Sequence, residues 1–329
     1  MPAETGTDIE RAALLLKAGK LVAIPTETVY GLAADGLNEQ AVLSVFKAKN
    51  RPDFDPLILH VSRREAAFSL AEYVPEKARL LADAFWPGPL TLVLPKKAHV
   101  PFVVTSGLDS VGLRVPNHPL TLSLLKKIDF PLAAPSANPF GYVSPTTARH
   151  VLDNLGDKID YILDGGPCRL GMESTIIGFE NEEPVLLRKG SLKKSDIERI
   201  TGPLKEKINV SGNPKAPGQL SAHYSPKRKI VIAEPENIGL LQNLPRPVTL
   251  LTFGNLFQAW ENRVDRVLNL SPEGDPAEAA RTFYGLLREA DQGPESLIVT
   301  GFLPAGEMAE VINDRLQRAA FPFKNTFHE

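Results

Sequence analysis

The stretch Leu21–Gly36, "LVAIPTETVYGLAADG", begins with an unbroken apolar run, is stopped by Pro25, and continues into a polar loop. A short apolar run closed by a proline reads as a buried strand, so "LVAIP" is one and "TETVYGLAADG" (Thr26–Gly36) is the loop at its C-terminal edge. A helix is expected next, across Glu39–Lys47. Upstream, Thr7 and Glu10 fit a capping box, Ile9, Ala12, Ala13 and Leu16 recur at helical spacing, and Gly19 stops the helix. Strand, loop and helix therefore alternate from the start, which is the signature of an α/β fold.

The alternation continues through "LILHV" (Leu57–Val61), a helix near Pro75–Phe85, "LTLVL" (Leu90–Leu94) and "VGLRV" (Val111–Val115). "PLAAPSANPFGYVSPTTARHVLDNLG" (Pro131–Gly156) gives a strand, a small-residue loop and a helix, with Ser144 as N-cap and Pro145 in the first turn. The strands "YILDGG", "STIIGF" and "PVLLRKG" follow, and a helix after Ser195 closes a first domain over 1–202. Residues 203–228 are rich in Gly, Pro, Ser and Lys without an apolar stripe and read as a linker and lid. Over 229–329, "IVIAE", "PVTLLTF", "VLNL" and "SLIVT" alternate with helical stretches such as "PAEAARTFYGLLREAD". They predict a second, smaller α/β domain of Rossmann-like type.

Composition narrows the partners. In 329 residues, 37 Lys and Arg against 39 Asp and Glu give a net charge of −2, with no cationic surplus for coating nucleic acid. The single cysteine, Cys168, makes an internal disulfide impossible, and no Cys/His zinc spacing occurs. Glu4, Asp8 and Glu10 come ahead of a short apolar stretch, unlike a signal peptide, and no apolar run reaches the roughly 20 residues of a membrane span. The expectation is a cytoplasmic protein.

Neither a GxxxxGK[ST] phosphate loop nor a strand-borne GxGxxG is present. "KAKNRPDFDP" offers another device: Arg51 precedes Pro52 and is pushed towards an extended conformation, so that Lys49 and Arg51 point to one side. Such a pair suits a polyphosphate, and equally a helix C-terminus with a solvated arginine beside it. Thr26 and Thr28 stand where open sheets bind ligands, or serve as turn formers. His60, read as facing away from Ile58, is a core histidine or a ligand contact. Arg114, inside an apolar strand, requires either an internal carboxylate or a substrate one. Ser136 and Asn138 leave a strand two apart, and Ser174 and Arg188 stand beside strand ends. Cys168 lacks an evident base and reads as a structural thiol, and His99, His118 and His150 lack metal spacing.

Taken in order, "AIPTETVYGLAADG", "FKAKNRPDFDPLILHV", "WPGPLTLVL", "VGLRVPNHP", "APSANPFGYVSPT" and "GGPCRLGMESTIIG" resemble the YrdC-like domain of the threonylcarbamoyl-AMP synthases. Lys49-x-Arg51 and Ser136-x-Asn138 match that family's Lys-x-Arg and Ser-x-Asn pattern, and "SAHYSP" with the trailing region resembles the two-domain form. The resemblance implies a twisted mixed sheet with a concave cationic cleft. It also implies an ATP-dependent nucleotidyltransferase joining L-threonine, bicarbonate or CO2, and ATP into threonylcarbamoyl-AMP and pyrophosphate. Mg2+ would accompany ATP, and separate proteins would carry the product onto tRNA. By the same resemblance, Thr26, His60, Arg114, Ala134 (through its backbone) and Ser174 line the threonine site. Lys49 and Arg51 are catalytic, and Asp53, Ser110, Ser136, Asn138, Ser144, Arg188 and Tyr224 join them around ATP; no protein metal ligand is implied. The rival from another class is an RNA-binding translation or ribosome-maturation factor using the same cations for backbone phosphates.

Overall fold

The computed structural model describes residues 2–208, 216–220, 222–234, 246–293 and 297–321. Of the linker read over 203–228, residues 209–215 and 221 lie outside the described residues. The chain divides into two units, Met1–Phe140 with Ser144–Leu220, and Gly141–Val143 with Ser221–Glu329.

The first unit runs β1 (Glu4–Gly6), α1 (Ile9–Lys17), β2 (Val22–Ile24), β3 (Gly31–Asp35), α2 (Glu39–Lys49), β4 (Ile58–His60), α3 (Arg64–Phe68), α4 (Glu76–Phe85) and β5 (Leu90–Pro95). It continues α5 (Phe102–Thr105), β6 (Ser110–Arg114), α6 (Pro119–Leu125), β7 (Leu132–Ala133), α7 (Ala148–Leu155), β8 (Tyr161–Leu163), β9 (Thr175–Glu180), β10 (Glu183–Arg188), α8 (Lys194–Thr201) and β11 (Lys205–Glu206). These strands form one mixed eleven-stranded sheet, ordered β1-β8-β2-β3-β7-β4-β6-β5-β9-β10-β11.

Side-chain alternation divides the sheet into two faces. Leu59, Leu92, Leu94, Leu113, Ala133 and Ile177 point to one face, where α2, α4, α7 and α8 cover them in the main core. Leu59 and Leu113 are both fully buried, and each stabilises the fold by about 1.5–3 kcal/mol through burial alone. On the other face Val22, Ile24, Ala33 and Leu132 pack under α1 and α6. Further along that face, beyond these two helices, β4, β6, β5, β9 and β10 carry Ile58, Ile176, Val185 and Leu187, and among them the polar residues described below. Ile58 and His60, two apart on β4, share this face, which corrects the reading of His60 as opposite Ile58.

Local differences from the sequence reading have identifiable causes. "GLAAD" is a strand, not loop: β3 pairs antiparallel with β2 and β7, and tertiary pairing overrides a composition poor in β-branched residues. Asp8, not Thr7, caps α1, its carboxylate accepting from Arg11 N at 3.0 Å. Thr147, not Ser144, caps α7, accepting from His150 N; Ser144 is turned to other use.

The second unit holds β12 (Lys229–Ile232), β13 (Val248–Thr252), β14 (Arg266–Asn269), α9 (Pro276–Gln292), β15 (Leu297–Thr300) and α10 (Glu307–Ala320). Its four strands are all parallel in the order β12-β15-β13-β14. Parallel strands require crossover connections, and α9 supplies the one that carries the chain from β14 past β13 to β15, started by the Asp275 cap and Pro276. Every residue of β13 and β15 is buried, the pattern of strands covered on both faces. Within this unit Tyr142 donates to Asp291 at 2.6 Å and lies under the Arg288 guanidinium.

Candidate functional site

Two clusters of buried charge stand in the first unit. One is built by the loop after β2. Arg114 ends β6, is 4% exposed, and pairs in register with His60 of β4. Its Nη2 donates to Glu27 Oε1 at 2.8 Å and Thr28 Oγ1 at 2.9 Å, and its Nε to Gly88 O at 3.3 Å. Thr28 passes the chain to Thr26 (2.7 Å), whose hydroxyl donates to Val29 O at 2.7 Å and accepts from Thr28 N and Val29 N. Glu27 Oε2 accepts from Asn117 N at 3.0 Å, so both its oxygens are engaged. The internal salt bridge that Arg114 required is therefore present, yet Arg114 Nη1 has no hydrogen bond to the described residues. Thr26 and Thr28 are turn formers as well as part of this network.

His60 is buried beside that guanidinium, and burial followed by the Arg114 charge pushes its pKa down to about 3. It is a neutral imidazole at physiological pH, able to exchange hydrogen bonds but not to supply charge. Ala134 N donates to Ile58 O at 3.0 Å, which leaves only the Ala134 carbonyl for a ligand. Gly112, between Ser110 and Arg114, has its Cα against Ile58 and Thr91; a Cβ there would stand 3.2 Å from Ile58 Cγ1.

The second cluster is the Lys49 pocket. Helix α2 ends at Lys49 because Asn50 adopts the left-handed conformation, φ 51°, which asparagine tolerates better than most residues. The chain reverses there. Lys49 and Arg51 thus belong to one cluster through a left-handed turn, and not through the extended i, i+2 geometry expected from sequence. Lys49, 1% exposed, donates from Nζ to Ser136 O at 2.5 Å and to Asn138 O. Burial, then the Arg51 charge, lowers its pKa well below the usual lysine value. Arg51, 8% exposed, donates to Asp55 O at 3.0 Å and Pro56 O at 2.9 Å, and its Nη2 stands 2.9 Å from Asp55 Oδ2. The two expected cations are consequently buried and held by protein acceptors, not displayed as an open wall.

Arg188, on β10, anchors the neighbouring corner. It donates to Ser174 O twice (3.1 and 2.8 Å), to Ser174 Oγ at 3.0 Å, and to Pro217 O at 3.2 Å. Ser174 Oγ also contacts Thr91 Oγ1 at 2.8 Å. Ser144 Oγ donates to Glu173 Oε1 at 2.8 Å, next to Ser174 in sequence. Gly190 allows this corner to close, since a Cβ there would sit 2.4 Å from Thr175 N.

Thr26, His60, Arg114 and Ala134 are thus joined by bonds or strand register, as are Lys49, Ser136 and Asn138, and Ser174 with Arg188. Among the described residues no bond or strand register joins Asp53 or Ser110 to these, and Tyr224 falls in the other unit. Asp53 is exposed on the Pro52–Asp55 turn. Ser110 lines an apolar cavity of about 440 Å3 with Val93, Phe179, Val185 and Leu187. Tyr224 belongs to the second unit, where it stacks on Tyr284 and lies under Arg315, with His223 edge-on at 4.1 Å. Sequence reasoning missed Glu27, Asp55, Thr91 and Glu173. A buried arginine needs a carboxylate, but that signal did not pick out Glu27, which lies in a different motif from Arg114, or Asp55 over Asp53 beside Arg51. Cys168 is buried, and burial pushes its thiol up to about 12, in keeping with a structural role.

A family model described as telomere recombination, spanning the Sua5, YciO and YrdC proteins, matches residues 14–190. The chain belongs to that family. A second model, the threonylcarbamoyl-AMP synthase C-terminal domain, matches residues 192–321. The threonylcarbamoyl-AMP synthase of Pyrococcus abyssi is 40% identical over 95% of this chain and 94% of its own. That of Bacillus subtilis is 38% identical over 95% and 92%. The crystal structure of P. abyssi Sua5 complexed with L-threonine superposes with a TM-score of 0.88 at 37% identity, covering 97% of both chains. No helix among the described residues is long and apolar enough to cross a membrane.

Proposed function

We propose that this protein is an L-threonylcarbamoyladenylate synthase, which condenses L-threonine, bicarbonate or CO2, and ATP to threonylcarbamoyl-AMP and pyrophosphate, for the N6-threonylcarbamoyladenosine modification of tRNA. The observation that carries the reading is Arg114, oriented by Glu27, Thr28 and Gly88 with Nη1 unengaged, beside a neutral His60. A guanidinium held in this way presents a donor of fixed direction to an amino-acid carboxylate. The Ala134 carbonyl, Thr26 and Ser174 supply hydrogen-bonding groups for the ammonium and hydroxyl of threonine.

The threonine ammonium gives up a proton to solvent and the free amine attacks bicarbonate or CO2; a C–N bond forms, with bicarbonate water leaves, and with CO2 a second proton passes to solvent. The resulting N-carboxylate then attacks the α-phosphorus of ATP, and the bond from that phosphorus to the oxygen bridging to the β-phosphate breaks, releasing pyrophosphate. Both reactants are anionic. Lys49, Arg51 and Arg188 offset that repulsion and stabilise the departing charge, so the chemistry rests on positioning and preorganised electrostatics. The backbone around Ser136 and Asn138 places the Lys49 ammonium. Ser144, turned towards Glu173, the exposed Asp53, and Ser110 at the apolar cavity it lines stand at the margin of this reading. Tyr224 enters only through the family resemblance.

Among the described residues no three His, Cys, Asp or Glu side chains come together as a metal cage. Mg2+ arriving with ATP would be held mainly by substrate phosphates and water, where it would neutralise phosphate charge. The product would pass to separate proteins that act on tRNA. Reading the site as a surface for RNA phosphates is not favoured, because the relatives that match over most of the chain are threonylcarbamoyl-AMP synthases. The test is pyrophosphate release from ATP by the purified protein, with threonine and bicarbonate each omitted in turn. Release that requires both supports the synthase; release without threonine, or none at all, overturns it.

A further inference from the structure

Asp55 has no part in the reading above, and its setting is unusual. It is 0% exposed, and its carboxylate lies 2.9 Å from Arg51 Nη2, at an angle that makes no hydrogen bond; neither oxygen has a hydrogen-bond partner among the described residues. Arg51 is held instead by the Asp55 and Pro56 carbonyls. Burial pushes the Asp55 carboxyl up, and the charges of Arg51, Lys49 and Arg188, in that order, pull it back down. A buried carboxylate without hydrogen bonds costs several kcal/mol in desolvation, and only these cations compensate it. Its contribution here is therefore charge, not shape or hydrogen bonding.

We propose that Asp55 is the resident counter-anion of the phosphate site, neutralising the Lys49, Arg51 and Arg188 cluster and thereby limiting how tightly that site holds pyrophosphate. The inference rests on the reading that these cations receive phosphates. Before an anion binds, Asp55 stabilises the cluster; once a phosphate is present, the two anions repel. Removing the carboxylate charge raises the energy of the unbound protein and relieves the bound one, so both effects act to tighten anion binding. Tight product retention would slow turnover, and a built-in anion lets pyrophosphate leave. A residue that merely kept Arg51 in place would act in the opposite direction.

The experiment is calorimetric titration of inorganic pyrophosphate into the full-length protein and its Asp55→Asn, Asp55→Ser and Lys49→Ala variants, at fixed ionic strength. The expected result is a Kd lowered roughly tenfold in Asp55→Asn, the scale for one charge removed a few ångströms away at an intermediate effective dielectric. Lys49→Ala should weaken binding. Should Asp55→Asn prove too unstable to titrate, Asp55→Ser carries the test, together with the rise in melting temperature on adding pyrophosphate, which should exceed that of the parent. Binding by the parent that Lys49→Ala weakens, with equal or weaker binding in the Asp55 variants, overturns the counter-anion role and leaves the phosphate reading standing. Absent binding by the parent, or binding indifferent to Lys49→Ala, removes the phosphate reading and the inference with it.

Discussion

Arg114–Glu27 and Arg51–Asp55 are both buried pairs of the same chemistry with nearly the same separation, 2.8 and 2.9 Å, and they are built to different ends. In the first, Glu27 accepts from Arg114 and from Asn117 N, so the carboxylate is satisfied and the guanidinium is aimed. In the second, Asp55 has charge opposite it but no hydrogen bond. A finished pair fixes direction, which suits recognition of one small carboxylate. An unfinished pair leaves a cation cluster whose neutralisation can be exchanged, which suits a site that must take up and release a polyanion. Distance alone would not have separated them.

The contrast is sharpened most by Glu27→Gln. It strands Arg114 in the core and should destabilise the protein by about 3–5 kcal/mol in urea unfolding, whereas Asp55→Asn, which loses ion-pair attraction but no hydrogen bond and sheds the carboxylate's own desolvation cost, should cost about 1 kcal/mol. Equal costs would break the comparison. Lys49→Ala comes next: steady-state pyrophosphate release should fall by about 10²–10³ in kcat, as for removal of a preorganised donor, with threonine affinity retained. A matching loss of threonine affinity would merge the two clusters into one. His60 gives an effect that is absent near neutral pH and appears only on acidification. Its folded pKa of about 3 lies below the unfolded value, so between about pH 6.5 and 3 the unfolded chain binds the extra proton. Its contribution is complete above pH 6.5 and falls with acidification by at most about 1.4 kcal/mol per pH unit, and His60→Gln should flatten that part of the stability profile. The smallest effect belongs to the surface pair Arg149–Asp153, where Arg149→Ala should change stability by no more than about 0.5 kcal/mol and leave activity untouched.

Much of the fold was legible because buried runs such as "LTLVL" and "VGLRV" have strand length and sit between turn signals. β3 was hidden because Gly31–Asp35 has no local strand signal, and only pairing with β2 and β7 makes it one. The residues resembling family motifs fell largely into two connected clusters. Their partners did not emerge, because which acid meets which arginine depends on the β4–β6 register and on the reversal at Asn50. The Lys49-x-Arg51 spacing was read as extended, whereas the structure has a left-handed turn at Asn50 between the two. What remained unreadable was the state of the charges: nothing in "KAKNRPDFDP" distinguishes exposed Asp53 from wholly buried Asp55.

The most direct test of the synthase reading is mass spectrometry of the adenylate formed when the protein is given ATP, L-threonine and 13C-bicarbonate. The account predicts an AMP conjugate containing both threonine and the labelled carbon, absent in Lys49→Ala. An adenylate without the label, or threonine joined directly to AMP through its own carboxylate, would contradict it.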